Sequence, residues 1–235
     1  MQETGIYNVG RHINKVQIRA AGVVWICAAQ FFIAQIVVQS AWATQFSLAT
    51  NFISDLGNTT CGVYNGMYVC SPWHALMNVS FSLQGVIILT GTLLARPLLR
   101  GESTRLLVLI LLALTGMGMV GVGVFSEDSS NRGHVISAGI QFITGNVAMI
   151  VIGLTGKTLN VNRGWFAASA IFGVIGLAAT YLFISGYGFG LGVGGMERIA
   201  AYTFPIWLIA AGILLITRLS GRSVRLAAEQ SRETK

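Results

Sequence analysis

Charge is scarce in this sequence. Asp, Glu, Lys and Arg make up 10% of its 235 residues, where an ordinary soluble domain carries roughly a quarter. The scarcity is also localised, because residues 20–40, 73–95, 106–125, 134–156, 164–185 and 199–217 contain none of the four. Each stretch is close to the roughly 20 residues that carry a helix across a ~30 Å hydrocarbon core. With 54% hydrophobic residues besides, the composition excludes a soluble enzyme, a nucleic-acid-binding domain and a disordered chain. Cysteine is nearly absent too, at three residues. No pair has the C-x₂₋₄-C spacing of a zinc site, and no H-E-x-x-H occurs, so no metal centre is assigned. What these absences leave is an all-α protein, a bundle of six transmembrane helices. A basic N-terminal segment (1–19) precedes the membrane domain (20–217), and a basic tail (218–235) follows it.

The net charge of +7 is a topology signal. Arg11, Lys15 and Arg19 precede the first span, and Arg96, Arg100 and Arg105 lie between the second and third. Lys157 and Arg163 separate the fourth from the fifth, and Arg218, Arg222, Arg225, Arg232 and Lys235 follow the sixth. Only Arg132 and Arg198 fall on the other side. The positive-inside rule then predicts cytoplasmic N- and C-termini in a cell membrane, with three loops outside. The basic residues before the first span, with Ala41, Trp42 and Ala43 after it, resemble a cleavable leader. A 21-residue apolar run exceeds the leader's apolar core of about 7–15 residues, so a retained signal anchor is expected.

Cys61 and Cys70 share the first outer loop, where an oxidising compartment favours a disulfide between them. Asn65 and Gly66 supply the turn between the two. Cys27, inside the first span, is a small apolar residue. Gly116, Gly118 and Gly121 match G-x-G-x-x-G. The match lies within a span, without the strand that gives the motif meaning, so it reads as a helix-packing surface. The six glycines of residues 186–195 read as a pliable outer loop.

The chemistry-capable residues gather at the outer face. Asn51, Ser54 and Asp55 precede the disulfide loop. His74 and Asn78 open the second span one turn apart. Glu127 and Asp128 follow the third. His134 opens the fourth, with Ser137 and Gln141 at i+3 and i+7. Glu197 and Arg198 open the sixth, with Tyr202 one turn deeper. The inner half of the bundle is expected to hold almost nothing comparable. Polar groups at membrane depth are functional candidates. They predict a polar cavity holding Asp55, His74 and His134, with Arg198 close enough to Asp55 to compensate its charge.

Four segments carry a resemblance: residues 51–57 (NFISDLG), 70–78 (CSPWHALMN), 121–127 (GVGVFSE) and 196–198 (MER). They are similar to the prokaryotic multi-pass membrane family catalogued as domain of unknown function 998, and the resemblance runs from the first span to the sixth. Ser126 stands where the family pattern has proline. The family has no established activity, so no catalytic role carries over. The resemblance implies six helices, a bacterial or archaeal cell membrane, and outer-face residues that are family features.

Three functions are compatible with this pattern. The favoured one is an intramembrane enzyme acting on a lipid or isoprenoid substrate, with Asp55 or Glu127 as acid/base and His74 or His134 as base or ligand. Membrane lipids are then the expected partners, and no cofactor is indicated. A transporter or lipid-binding protein would line a half-channel with the same residues, although no ionisable relay reaches the inner face. A structural subunit would need longer polar loops.

Overall fold

The computed structural model describes residues 14–64, 66–99, 101–156 and 163–233, with side chains up to Thr217. Arg11, Asn65, Arg100, Lys157 and the side chains of the C-terminal tail lie outside the described residues. Six helices among the described residues are long and apolar enough to cross a membrane. They are α1 (Lys15–Ser40), α2 (His74–Ala95), α3 (Glu102–Val124), α4 (Asn131–Thr155), α5 (Arg163–Ile184) and α6 (Gly192–Glu233). They cover the six charge-free stretches to within one residue at either end. In hydrocarbon every backbone N–H and C=O must be paired within its own segment, which is why such stretches become helices. The large apolar side chains left on the outside, such as Ile36, Val79, Leu93 and Ile175, are what a lipid-facing surface requires. The class of protein is therefore a multi-pass, six-helix membrane protein.

Each helix packs on its neighbours in sequence, and α1 packs on α6, so the bundle closes into a ring. Glycine pairs set two of these crossings. A methyl group added to Gly212 would sit 2.5 Å from the Gly22 carbonyl, and one added to Gly85 would sit 2.5 Å from the Gly116 carbonyl. Backbones this close are the usual result of small residues at helix crossings in membranes. Gly116, Gly118 and Gly121 thus serve packing, with Gly118 and Gly121 against Ser137 of α4.

The connections α1–α2, α3–α4 and α5–α6 meet at one end, hereafter the hairpin end. The first of these contains a 3₁₀ turn, Ser54–Gly57, and an antiparallel hairpin of β1 (Gly62–Tyr64) and β2 (Met67–Val69). Tyr64 pairs with Met67, which leaves a two-residue turn in which Gly66 has φ +78°, the left-handed conformation that glycine adopts freely. Cys61 and Cys70 are joined by a disulfide that closes this hairpin. Changing both cysteines to serine should lower stability by about 2.5–3 kcal/mol in the chain-entropy account. A thermal melt of the oxidised protein against the double variant measures it, and equal melting temperatures would show that the loop is held by other contacts.

One expectation is corrected by this architecture. The glycine run does not end as a loop, because Gly192, Gly194 and Gly195 already belong to α6. This early start lets the helix dock on the α1–α2 connection: the Gly194 N–H donates to the Ala49 carbonyl at 2.9 Å, and a methyl group on Gly194 would lie 2.4 Å from the Asn51 carbonyl. Polar pairs also join helices at and above the middle of the bundle. Gln30 donates to Gln84 and accepts from Ser80, Tyr202 donates to Gln35, and Thr203 donates to Asn146. Each pair joins two helices where lipid offers no alternative partner.

Candidate functional site

The Ser54–Gly57 turn is buried throughout and is anchored from α2 and the segment before it. The Ser71 hydroxyl donates to the Leu56 carbonyl at 2.7 Å, and Asn78 Nδ2 donates to the Gly57 carbonyl at 2.9 Å. A methyl group on Gly57 would fall 2.4 Å from Asn78 Oδ1, so the turn needs glycine there. His74 directs Nδ1 to the Ser71 carbonyl at 2.9 Å and does not reach the pocket described below. His74 and Asn78 do share a helix face, but that face holds the turn in place.

Asp55 is 1% exposed. Its carboxylate accepts from the Phe52 N–H at 2.8 Å and from Asn51 Nδ2 at 3.3 Å, while Asn51 Oδ1 accepts from the Ser47 N–H. The expected compensation by Arg198 takes another form. Arg198 Nη1 donates to the carbonyls of Leu48, Asn51 and Gly194 at 2.8–3.0 Å, and its guanidinium lies over the Phe46 ring. No ion pair between Arg198 and Asp55 occurs among the described residues. Arg198 instead clamps the chain after α1 onto α6.

The carboxyl that meets Asp55 is Glu127. The two side chains lie close enough to interact directly, as Glu127 does with Ser54, and Glu127 is 6% exposed with Oε1 buried and unpartnered. Burial first, then the hydrogen bond to Asp55 and repulsion from Asp55 and Glu197, push the Glu127 carboxyl up to about 9. It therefore holds a proton at neutral pH, which is what allows one carboxyl to donate to another. Asp128, one residue later, behaves in the opposite way. Burial opposes its ionisation, but hydrogen bonds from Ser126, Thr59 and Thr60 outweigh this and hold it well below the usual carboxylate range. Its Oδ2 accepts from the N–H and hydroxyl of both Thr59 and Thr60, which ties the α3–α4 connection to the hairpin.

A pocket of about 340 Å³ opens among these elements. Glu127, His134, Gln141, Ser54 and Glu197 line it, as do Tyr64 from the hairpin, Asn131 and Gln84. Its walls are aromatic and aliphatic, with Phe31, Phe81, Phe142, Phe183 and Phe204 among them. His134 directs Nδ1 to the Phe125 carbonyl at 2.7 Å. A carbonyl only accepts, so the proton of a neutral imidazole sits on Nδ1 and Nε2 keeps its lone pair. Glu197 accepts from the Ile53 N–H and from the Ser54 hydroxyl. Gln84 lies ten residues into α2, about 15 Å below its start, and its buried Nε2 has no partner. The pocket thus runs from a polar mouth at Glu127 and His134 to a mainly apolar interior.

Of the residues singled out from sequence, Glu127, His134, Gln141, Ser54 and Glu197 line this pocket, and Asp55 touches it through Glu127. His74, Asn51, Asn78, Ser137, Arg198 and Tyr202 do not line it. Sequence reasoning passed over Gln84, Tyr64 and Asn131. Gln84 was visible as an amide at membrane depth, ten residues after His74. Tyr64 and Asn131 carried no signal short of the hairpin's placement, where the Tyr64 hydroxyl donates to the Glu127 carbonyl and accepts from Asn131 Nδ2.

Comparison with known proteins places the chain within that membrane class. It belongs to the family described as protein of unknown function (DUF998), whose pattern matches residues 26–214. No curated protein and no solved structure matches it.

Proposed function

We propose that this protein is an intramembrane enzyme acting on a membrane lipid, with the pocket at the hairpin end as its site. The observation that carries this reading is the meeting of a buried carboxyl, with one oxygen unpartnered, and an imidazole at one deep, mainly apolar cleft. Glu127 and His134 are then the acid–base pair that general acid–base catalysis needs. The cleft's mouth supports a lipid rather than a solute. Val135 and Ile184 line it while remaining 59% and 71% exposed, and both lie on membrane-spanning helices, so the opening is sideways. Exposed Tyr181, Tyr187 and Phe189 nearby suit the depth of lipid headgroups.

The hairpin end faces outward on this reading. The disulfide supports it, since such bonds persist on the oxidising side. So does the distribution of basic residues, because Lys15, Arg19, Arg96, Arg105 and Arg163 lie at the opposite end. Reporter fusions at Tyr64 and Lys235 should give opposite signals, and equal signals would overturn the orientation. A transport role is disfavoured because the second pocket, around Trp25, Thr92 and Trp165, shares no lining residue with the first. Stacked Phe204 and Trp207 stand between them.

Gly139 offers the direct test. It lines the pocket, and a methyl group there meets nothing within 4 Å, so Gly139→Trp should fill the cleft without disturbing the fold. Lipid co-purifying with the wild type should be lost from this variant at an unchanged melting temperature. Equal lipid content in the two would sink the reading. Conversion of a lipid by the wild type but not by Glu127→Gln would establish the catalytic part.

A further inference from the structure

We propose that the pocket selects an amphiphile with a primary ammonium head and rejects phosphate-headed lipids; this rests on the pocket being a lipid site. Three carboxyls, those of Asp55, Glu127 and Glu197, are buried together at its polar end. No Lys or Arg lines it. Of the two hairpin-end cations, Arg198 is taken up by three carbonyls, and Arg132 is exposed and outside the lining. A phosphate drawn into this pocket would face three carboxyls against the single charge of Arg198, whose Nη1 is already taken up by carbonyls, an arrangement that is unfavourable where water is excluded. An ammonium brings both the missing charge and the missing donors.

Acceptors await those donors. Glu127 Oε1 is buried and unpartnered. Pro205 has no N–H to give the Ala201 carbonyl four residues back, and both Ala201 and Pro205 line the pocket. Independently of the acids, the buried Gln84 Nε2 at the far end has no acceptor. An occupant bearing a neutral oxygen along its chain would supply one. The pocket of about 340 Å³ has room for an alkyl chain and a small head. An alkylamine ionises near the lysine value of ~10.4, so it arrives as ammonium. The proton that Glu127 holds in the empty pocket leaves as the carboxylate pairs with it.

The test uses full-length protein in phosphatidylcholine nanodiscs, photolabelled with a diazirine-bearing dodecylamine. Unlabelled dodecylamine should compete at least about tenfold better than dodecanol, and dodecyl phosphate should not compete. Glu127→Gln should reduce the amine to the level of the alcohol; if that variant does not fold, Glu197→Gln should shift the preference in the same direction. Equal competition by the alcohol or the phosphate, or an amine preference that survives both changes, would overturn the head-group proposal while leaving the lipid site standing. Labelling by the amine probe that Gly139→Trp does not remove would overturn both.

Discussion

Replacing Arg198 with methionine should destabilise the protein by about 3–5 kcal/mol, while the same change at Arg132 should fall within about 0.5 kcal/mol of the wild type. Both are cations at the hairpin end. Arg198 is 8% exposed, and its Nη1 satisfies carbonyls on the chain after α1 and on α6 itself. Methionine fills a similar volume but leaves the three carbonyls without this donor, and charge-assisted hydrogen bonds are the stronger kind. Arg132 is exposed at the start of α4. Arg198→Lys should recover only part of the loss, because a compact ammonium does not spread its donors as a planar guanidinium does. Melting temperatures of the three variants in detergent measure this. Equal effects at positions 132 and 198 would show that the clamp does not bear on stability.

The second large effect concerns pH. The Glu127 carboxyl is pushed up to about 9, whereas an unfolded glutamate releases its proton near ~4.3. Between those values the folded protein holds a proton that the unfolded chain lacks, so stability falls as pH rises. At up to ~1.36 kcal/mol per pH unit, the loss from neutral to alkaline pH is on the order of a few kcal/mol. Asp55, Glu197, Tyr64 and His134 face the same cluster, and Asp128 acts in the opposite sense, losing its contribution only in strong acid. Glutamine imitates the protonated carboxyl, so Glu127→Gln should match the wild type near pH ~6 and be the more stable near pH ~9. Parallel decline of the two proteins would show that Glu127 is not the titrating group.

The sequence by itself determined the spans, the division of basic residues between the two ends, the cysteine pair and the end at which the polar residues collect. Those properties depend on chain-local quantities: the length of an apolar run, the charge beside it, the distance between two cysteines. Which polar residues share a pocket was decided by tertiary structure alone. His134 and Gln141 are seven residues apart, and seven steps of 100° bring a side chain back to within about 20°, so both line the pocket. Ser137, three steps along, is turned by about 60° and meets the α3 glycines instead. His74 resembles His134 in every local respect, at the mouth of a span with glycine eleven residues on. Its ring is turned back to the Ser71 carbonyl, in the segment that anchors the Ser54–Gly57 turn, and not into the pocket. Glu127 lies on a connection without periodicity, and its placement against Asp55 came from the closing of the helix ring. The rotation of each helix about its axis is set by how its neighbours pack, through glycine contacts such as Gly22 with Gly212, and that information is spread over the whole chain.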